Sequence, residues 1–151
     1  MKWICVMSAV LAVAVATPAQ AACPVPPGAV EIAVPSGLPT ALRQALPGDI
    51  ALPGEPFDST DVYVKGRKHR RYIFVWNIGT WWIVAMEQGG IALRAAIFNY
   101  DLGKDGKAAV LIEESMTFPE RVCASATRLV EKAKSVRTRE VKRSHWNHSA
   151  V

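Results

Sequence analysis

Between Tyr72 and Glu114 short apolar runs alternate with compact turns, and no other feature of the chain restricts its fold as strongly. Trp76-Asn77-Ile78-Gly79-Thr80-Trp81 reads as a hairpin tip. Closing it at Ile78-Gly79 sets Trp76 opposite Trp81, Phe74 opposite Ile83 and Arg70 opposite Glu87 on one face. The same register sets Val75 opposite Trp82, Ile73 opposite Val84 and Arg71 opposite Met86 on the other. Gly89-Gly90 reads as a second two-residue turn, placing Met86 across from Leu93, Trp82 from Ile97 and Trp81 from Phe98. A third turn, Gly103-Lys104-Asp105-Gly106, returns the chain into the run from Ala108 to Glu114, and its length leaves open whether Leu111 or Ile112 faces Phe98. The result is an antiparallel meander apolar on both faces. Each large side chain it buries contributes about 1.5–3 kcal/mol, so neither face stays in water and two covering layers are required.

The flanking segments supply candidates for both layers. Eight of the ten prolines lie between Pro24 and Pro56, which marks a wrapping segment rather than a sheet. Within it Leu38, Leu42 and Leu46 recur every four residues, with Pro39 where a first helical turn tolerates proline and Pro47-Gly48 as a stop. Leu46-Pro47-Gly48-Asp49 is echoed by Leu52-Pro53-Gly54-Glu55, two Pro-Gly turns of expected type II geometry. The alternation over 61–65 predicts an edge strand. On the C-terminal side, Thr117 and Glu120 form a capping-box pattern with Pro119 between them, opening a helix whose stripe is Val122, Ala126, Leu129, Val130 and Ala133. The expected fold is α+β: a four- to five-stranded antiparallel meander, a C-terminal helix and a Pro-rich N-terminal wrap containing a short helix. A small β-sandwich or barrel is the alternative.

Residues 1–21 have the form of a secretory leader: Lys2, an apolar run, and Ala19-Gln20-Ala21 as a small-residue cleavage site. The run falls short of the roughly 20 residues a membrane span requires, and the rest of the chain offers no second candidate. The expected division is a leader at 1–21, one globular domain at 22–134 and a basic, disordered tail at 135–151. Loss of the leader removes Cys5 and leaves Cys23 and Cys123 as the two thiols of an exported chain, the pattern of a single disulfide. A periplasmic or secreted location follows, in the style of a Gram-negative leader. Cys23 after two alanines also permits a lipoprotein reading, although Gln20 stands where such signals carry an aliphatic residue.

Lys65, Arg67, Lys68, His69, Arg70 and Arg71 form the densest basic cluster before the C-terminal helix. They are the candidate anion-binding residues, set against the plainer role of a solvated turn that guards a sheet edge. From Arg128 onward seven basic and two acidic residues account for the whole formal net charge of +5, and such a segment has little apolar surface to offset its ordering entropy.

Catalytic chemistry finds no complete set. His69 has Asp58 and Asp61 nearby in sequence but no specifically placed nucleophile. The run from Asp101 to Gly106 resembles a calcium loop but has Ile112 where the terminal glutamate belongs. His145 and His148 lack a third metal ligand. Glu113 and Glu114 point to opposite faces of a strand. Trp76, Trp81 and Trp82 make either a core or a stacking platform. Asn147-His148-Ser149 has the form of a glycosylation acceptor, without meaning in a bacterial chain. The expectation is a non-catalytic binding or interaction protein without metal or cofactor, its partner another envelope protein or an anionic surface. A polyanion binder using residues 65–71 and the tail is one alternative; a hydrolase around His69 is the other.

Overall fold

The computed structural model describes residues 23–62 and 64–148, with side chains through Val136. The expected leader, including Cys5, lies outside the described residues, as does the glycosylation-like Ser149; the side chains of His145, Trp146 and His148 lie outside them too.

The meander forms as β3 (Arg70–Ile78), β4 (Trp81–Gln88), β5 (Arg94–Asp101) and β6 (Val110–Thr117), all antiparallel. The wrap adds two short strands to the outer edge of β3. β1 (Val30–Glu31) pairs antiparallel with Asn77 and Trp76, and β2 (Ile50–Ala51) pairs parallel with Arg70 and Arg71. The sheet therefore has six strands, is open, and runs β1-β3-β4-β5-β6 with β2 beside β3. This is the α+β fold, not a closed barrel. The segment 61–65 contributes no strand among its described residues; Val62 and Val64 are exposed.

Three registers differ from the sequence expectation. At the first tip Ile78 pairs with Trp81, so Gly79-Thr80 is the turn and Trp76 faces Ile83 rather than Trp81. A two-residue hairpin turn of type II′ requires positive φ at its first position; Gly79 adopts φ 67°, whereas β-branched Ile78 is strained there. A bulge at Ile73 then shifts the pairing by one residue, and Arg71 instead of Arg70 meets Glu87.

At the second turn the strands stop pairing at Gln88 and Arg94, which leaves residues 89–93 as a loop. Ile97 faces Ala85 and Phe98 faces Val84, so the two β5 side chains exchange the faces that a Gly89-Gly90 turn would have given them. Gly89 serves a different purpose: a Cβ there would sit 2.2 Å from the Asp58 carbonyl oxygen, and its N–H donates to His69 O at 3.0 Å. At the third turn Asp101 pairs with Val110, a bulge leaves Ile112 unopposed, and Phe98 faces Glu114 rather than Leu111 or Ile112.

Both faces are covered. On one side α1 (Thr40–Ala45) brings Leu38, Leu42 and Leu46 onto Tyr72, Val75, Val84, Met86, Phe98 and Tyr100. The helix ends at Leu46, as Pro47-Gly48 requires. Only the second Pro-Gly turn has the positive φ of type II, 82° at Gly54; Gly48 has none.

On the other side α2 (Val122–His148) lays Val122, Ala126, Leu129 and Val130 onto Phe74, Trp76, Ile83 and Ile97, and Ala133, one turn on, is buried as well. The capping box is not formed. Thr117 still pairs with Ala95 in the sheet, Phe118 is the N-cap without a side-chain bond, and a 3-10 turn at Pro119–Arg121 leads into α2. Among the residues whose side chains are described the last buried one is Ala133, yet the helical backbone runs on through His148 without a break at 134. A segment free of Gly and Pro adds one hydrogen bond for each residue fixed once the preceding turns are in place, which lets an existing helix extend beyond its packed part.

Cys23 and Cys123 form the expected disulfide, with Cα atoms 5.3 Å apart, fastening the start of the wrap to the first turn of α2.

Candidate functional site

The basic cluster is placed by the bulge in β3 and by the wrap. Arg71 binds Glu87 across the ladder through Nε at 2.8 Å and a terminal nitrogen at 2.5 Å, while its guanidinium lies 4.5 Å from the centre of the Phe57 ring. Glu87 is almost fully buried, so this charge-assisted pair holds a carboxylate that would otherwise be costly to desolvate. Lys68 pairs with Glu55 at 3.1 Å and Arg70 with Asp49 at 3.4 Å. Glu55 also accepts the Leu52 N–H; that bond, followed by Lys68, holds its carboxyl below the usual range.

Asp58 is buried, and its backbone N–H donates to Lys68 O at 2.8 Å. Its Oδ1 accepts the Thr60 hydroxyl at 2.7 Å and the Thr60 N–H at 3.1 Å. These two bonds depress the Asp58 pKa; burial opposes them, and the nearby charges of His69 and Arg67 add to the depression.

The acids Asp49, Glu55, Asp58 and Glu87 thus meet four of the six candidate anion-binding residues, and the meeting fastens 49–58 to the sheet. Lys65 and Arg67 are left exposed beside an open crevice of about 500 Å³ between Glu55–Phe57 and Gly66–Lys68. The sequence cluster is consequently a clasp in its larger part. Nor do Asp58, His69 and Thr60 stand in nucleophile–base–acid order, since the Thr60 hydroxyl bonds the acid directly.

Other singled-out residues fall into structural roles. Asp101 and Asp105 accept the N–H groups of Gly103 and Lys107, shaping the turn that resembled a calcium loop. Trp76 is wholly buried and stacks on Phe74 with ring centres 4.1 Å apart, so it belongs to the core. Glu113 and Glu114 do face opposite sides: Glu113 pairs with Lys132 of α2, and Glu114 sits across from Phe98 on the α1 side.

The feature that sequence reasoning missed is the outer edge of β6. The wrap covers the edge of β3, whereas no described strand pairs with β6 on its outer side. Along it Val110, Leu111, Ile112, Met116 and Phe118 are 44–57% exposed, and neighbouring Ile91 is 95% exposed. The loop from Gln88 to Arg94 and Met116 enclose a shallow cavity of about 280 Å³; Arg94, Met116, Thr117 and Phe118 line a second of about 150 Å³. Three adjacent apolar residues at 110–112 read as an interior strand, and only the strand order reveals that they are marginal. Comparison with family models, curated proteins and solved structures found no match to this chain.

Proposed function

We propose that this chain is a small, exported, non-catalytic interaction protein that engages another protein chain through the open edge of β6. One observation carries the reading: large apolar side chains stay exposed on a strand whose outer edge pairs with no described strand. Natural sheets ordinarily blunt such edges with charge, proline or cover; β6 carries charge at Glu113 and Glu114, but the exposed apolar residues on either side of them leave an edge that can template strand addition. The clasp role of Lys68, Arg70 and Arg71 weakens the competing polyanion reading, because cations already neutralised by the wrap attract little further negative charge.

Export to the periplasm is supported by the leader-like 1–21 and by the disulfide, which persists in oxidising compartments. The bridge also speaks against lipidation, since a thioether on Cys23 would consume the same sulfur. The described residues contain no helix long and apolar enough to cross a membrane.

The test places a photo-cross-linking residue at Leu111 and, separately, at Lys65 in cells. Protein adducts from position 111 are expected, formed in undiminished yield when an extract of those cells is irradiated at high salt. Adducts confined to position 65, with binding that falls steeply as salt rises, would reverse the assignment in favour of a polyanion.

A further inference from the structure

We propose that the occupant of the β6 edge is a second copy of the same chain, paired antiparallel about a two-fold axis at Ser115, so that the two sheets become one. This rests on reading β6 as a docking edge and adds the identity of its partner.

The length of usable edge sets the register. The bulge leaves Ile112 unopposed at one end, and Pro119, which has no N–H to donate, closes the other. Between them the backbone from Glu113 to Phe118 is extended. An antiparallel pair about Ser115 uses this stretch and its flanking Ile112: Glu113 meets Thr117 of the second copy, Glu114 meets Met116, and Ile112 meets Phe118.

Charge excludes the neighbouring registers on one side and is compatible with this one. Axes at or between Glu113 and Glu114 bring carboxylate opposite carboxylate, which is destabilising for directly facing strand residues. About Ser115 no like charges face each other. Glu114 of the second copy arrives beside Met116 on the α1 side of the sheet. Arg94 lies on that same side, two residues along β5 from Ala96, the partner of Met116. It is exposed and makes no ion pair among the described residues, so each copy offers a cation diagonally across the seam from the other's carboxylate.

The apolar parts match as well. Ile112 of the second copy reaches the cavity of about 150 Å³ beside Phe118, and exposed Met116 is covered. On the α2 side the facing groups are Ser115 with Ser115 and Glu113 with Thr117. A patch that complements itself in this way is what an isologous two-fold contact requires.

The test uses the full exported chain. Sedimentation equilibrium is expected to give twice the monomer mass. Ser115→Cys is expected to form an intermolecular disulfide, because facing β-carbons lie within about 4.5–5.5 Å, close to bridging distance. Glu113→Cys alone should not cross-link, whereas a mixture of Glu113→Cys and Thr117→Cys should. Met116→Glu, at an exposed position, sets like charges opposite each other twice and is expected to weaken dimerisation at least tenfold; adding Glu114→Lys is expected to restore it.

A monomer at all concentrations would overturn the proposal, as would a dimer indifferent to Met116→Glu. If a monomer still yields cross-links to a different protein from position 111, the second copy is excluded and the docking edge stands. If it yields none, both fall.

Discussion

At the scale of single residues, Asp58 shows how a clasp makes stability depend on pH. The Thr60 hydroxyl, then the Thr60 N–H, hold the Asp58 carboxyl below its ordinary range. A folded-state pKa lower than the unfolded value means that the unfolded chain binds the proton more readily. The stabilisation from Asp58 is therefore complete above the ordinary Asp value of about 3.9 and is lost as pH falls through the lower, folded-state value. Urea midpoints of wild type and Asp58→Asn, measured across pH, are expected to differ by a constant amount near neutrality and to converge in acid. A gap that persists or widens in acid would show that the carboxylate charge has no part in the clasp.

The elements show how contacts distant in sequence override local turn preferences. Gly89-Gly90 has the composition of a tight hairpin turn, yet β4 and β5 separate into a five-residue loop because Gly89 is pressed against the backbone of Asp58 and Ser59. Gly89→Ala is expected to destabilise the fold by about 1–3 kcal/mol, the range for forcing atoms into a packed site. Gly48→Ala, with nothing within 4 Å of the added carbon and no positive φ, is expected to be neutral or to stabilise by about 0.4–1 kcal/mol. Chemical denaturation of both variants decides the matter, and equal effects would mean that close approach is not what Gly89 provides.

For the whole molecule, the disulfide joins the first described residue to the start of α2 across 100 residues of sequence. Both covering layers lie inside the closed loop or adjoin its end. Replacing Cys23 and Cys123 together by Ser is expected to lower stability by up to about 4–5 kcal/mol, the loop-entropy figure for a closure of this size. An unchanged urea midpoint would show that packing of the wrap and α2 already restricts the unfolded chain as much as the bridge does. The layers themselves should persist in the double variant, since Leu42, Val130 and Ala126 are fully buried in apolar contacts that the sulfur atoms do not make.

Sequence alone determined the kind of structure: an antiparallel sheet apolar on both faces, Leu38, Leu42 and Leu46 for one cover, the stripe from Val122 to Ala133 for the other, and the pairing of Cys23 with Cys123. Those are consequences of side-chain period and composition, which are local and survive errors of one residue. Register is not local in that sense. The moved first turn and the bulge at Ile73 together put Arg71 instead of Arg70 beside Glu87, and a three-residue shift after Gln88 reversed the faces of Ile97 and Phe98, because any shift by an odd number of residues turns every later side chain over. The site depended on tertiary structure more heavily still. A cluster of cations reads as an anion site until the acids that fold onto it are known, and Val110 to Ile112 read as an interior strand until the order of strands leaves β6 at the margin. Charge neutralisation and edge position belong to the arrangement of segments far apart in the chain, and only the folded arrangement decides them.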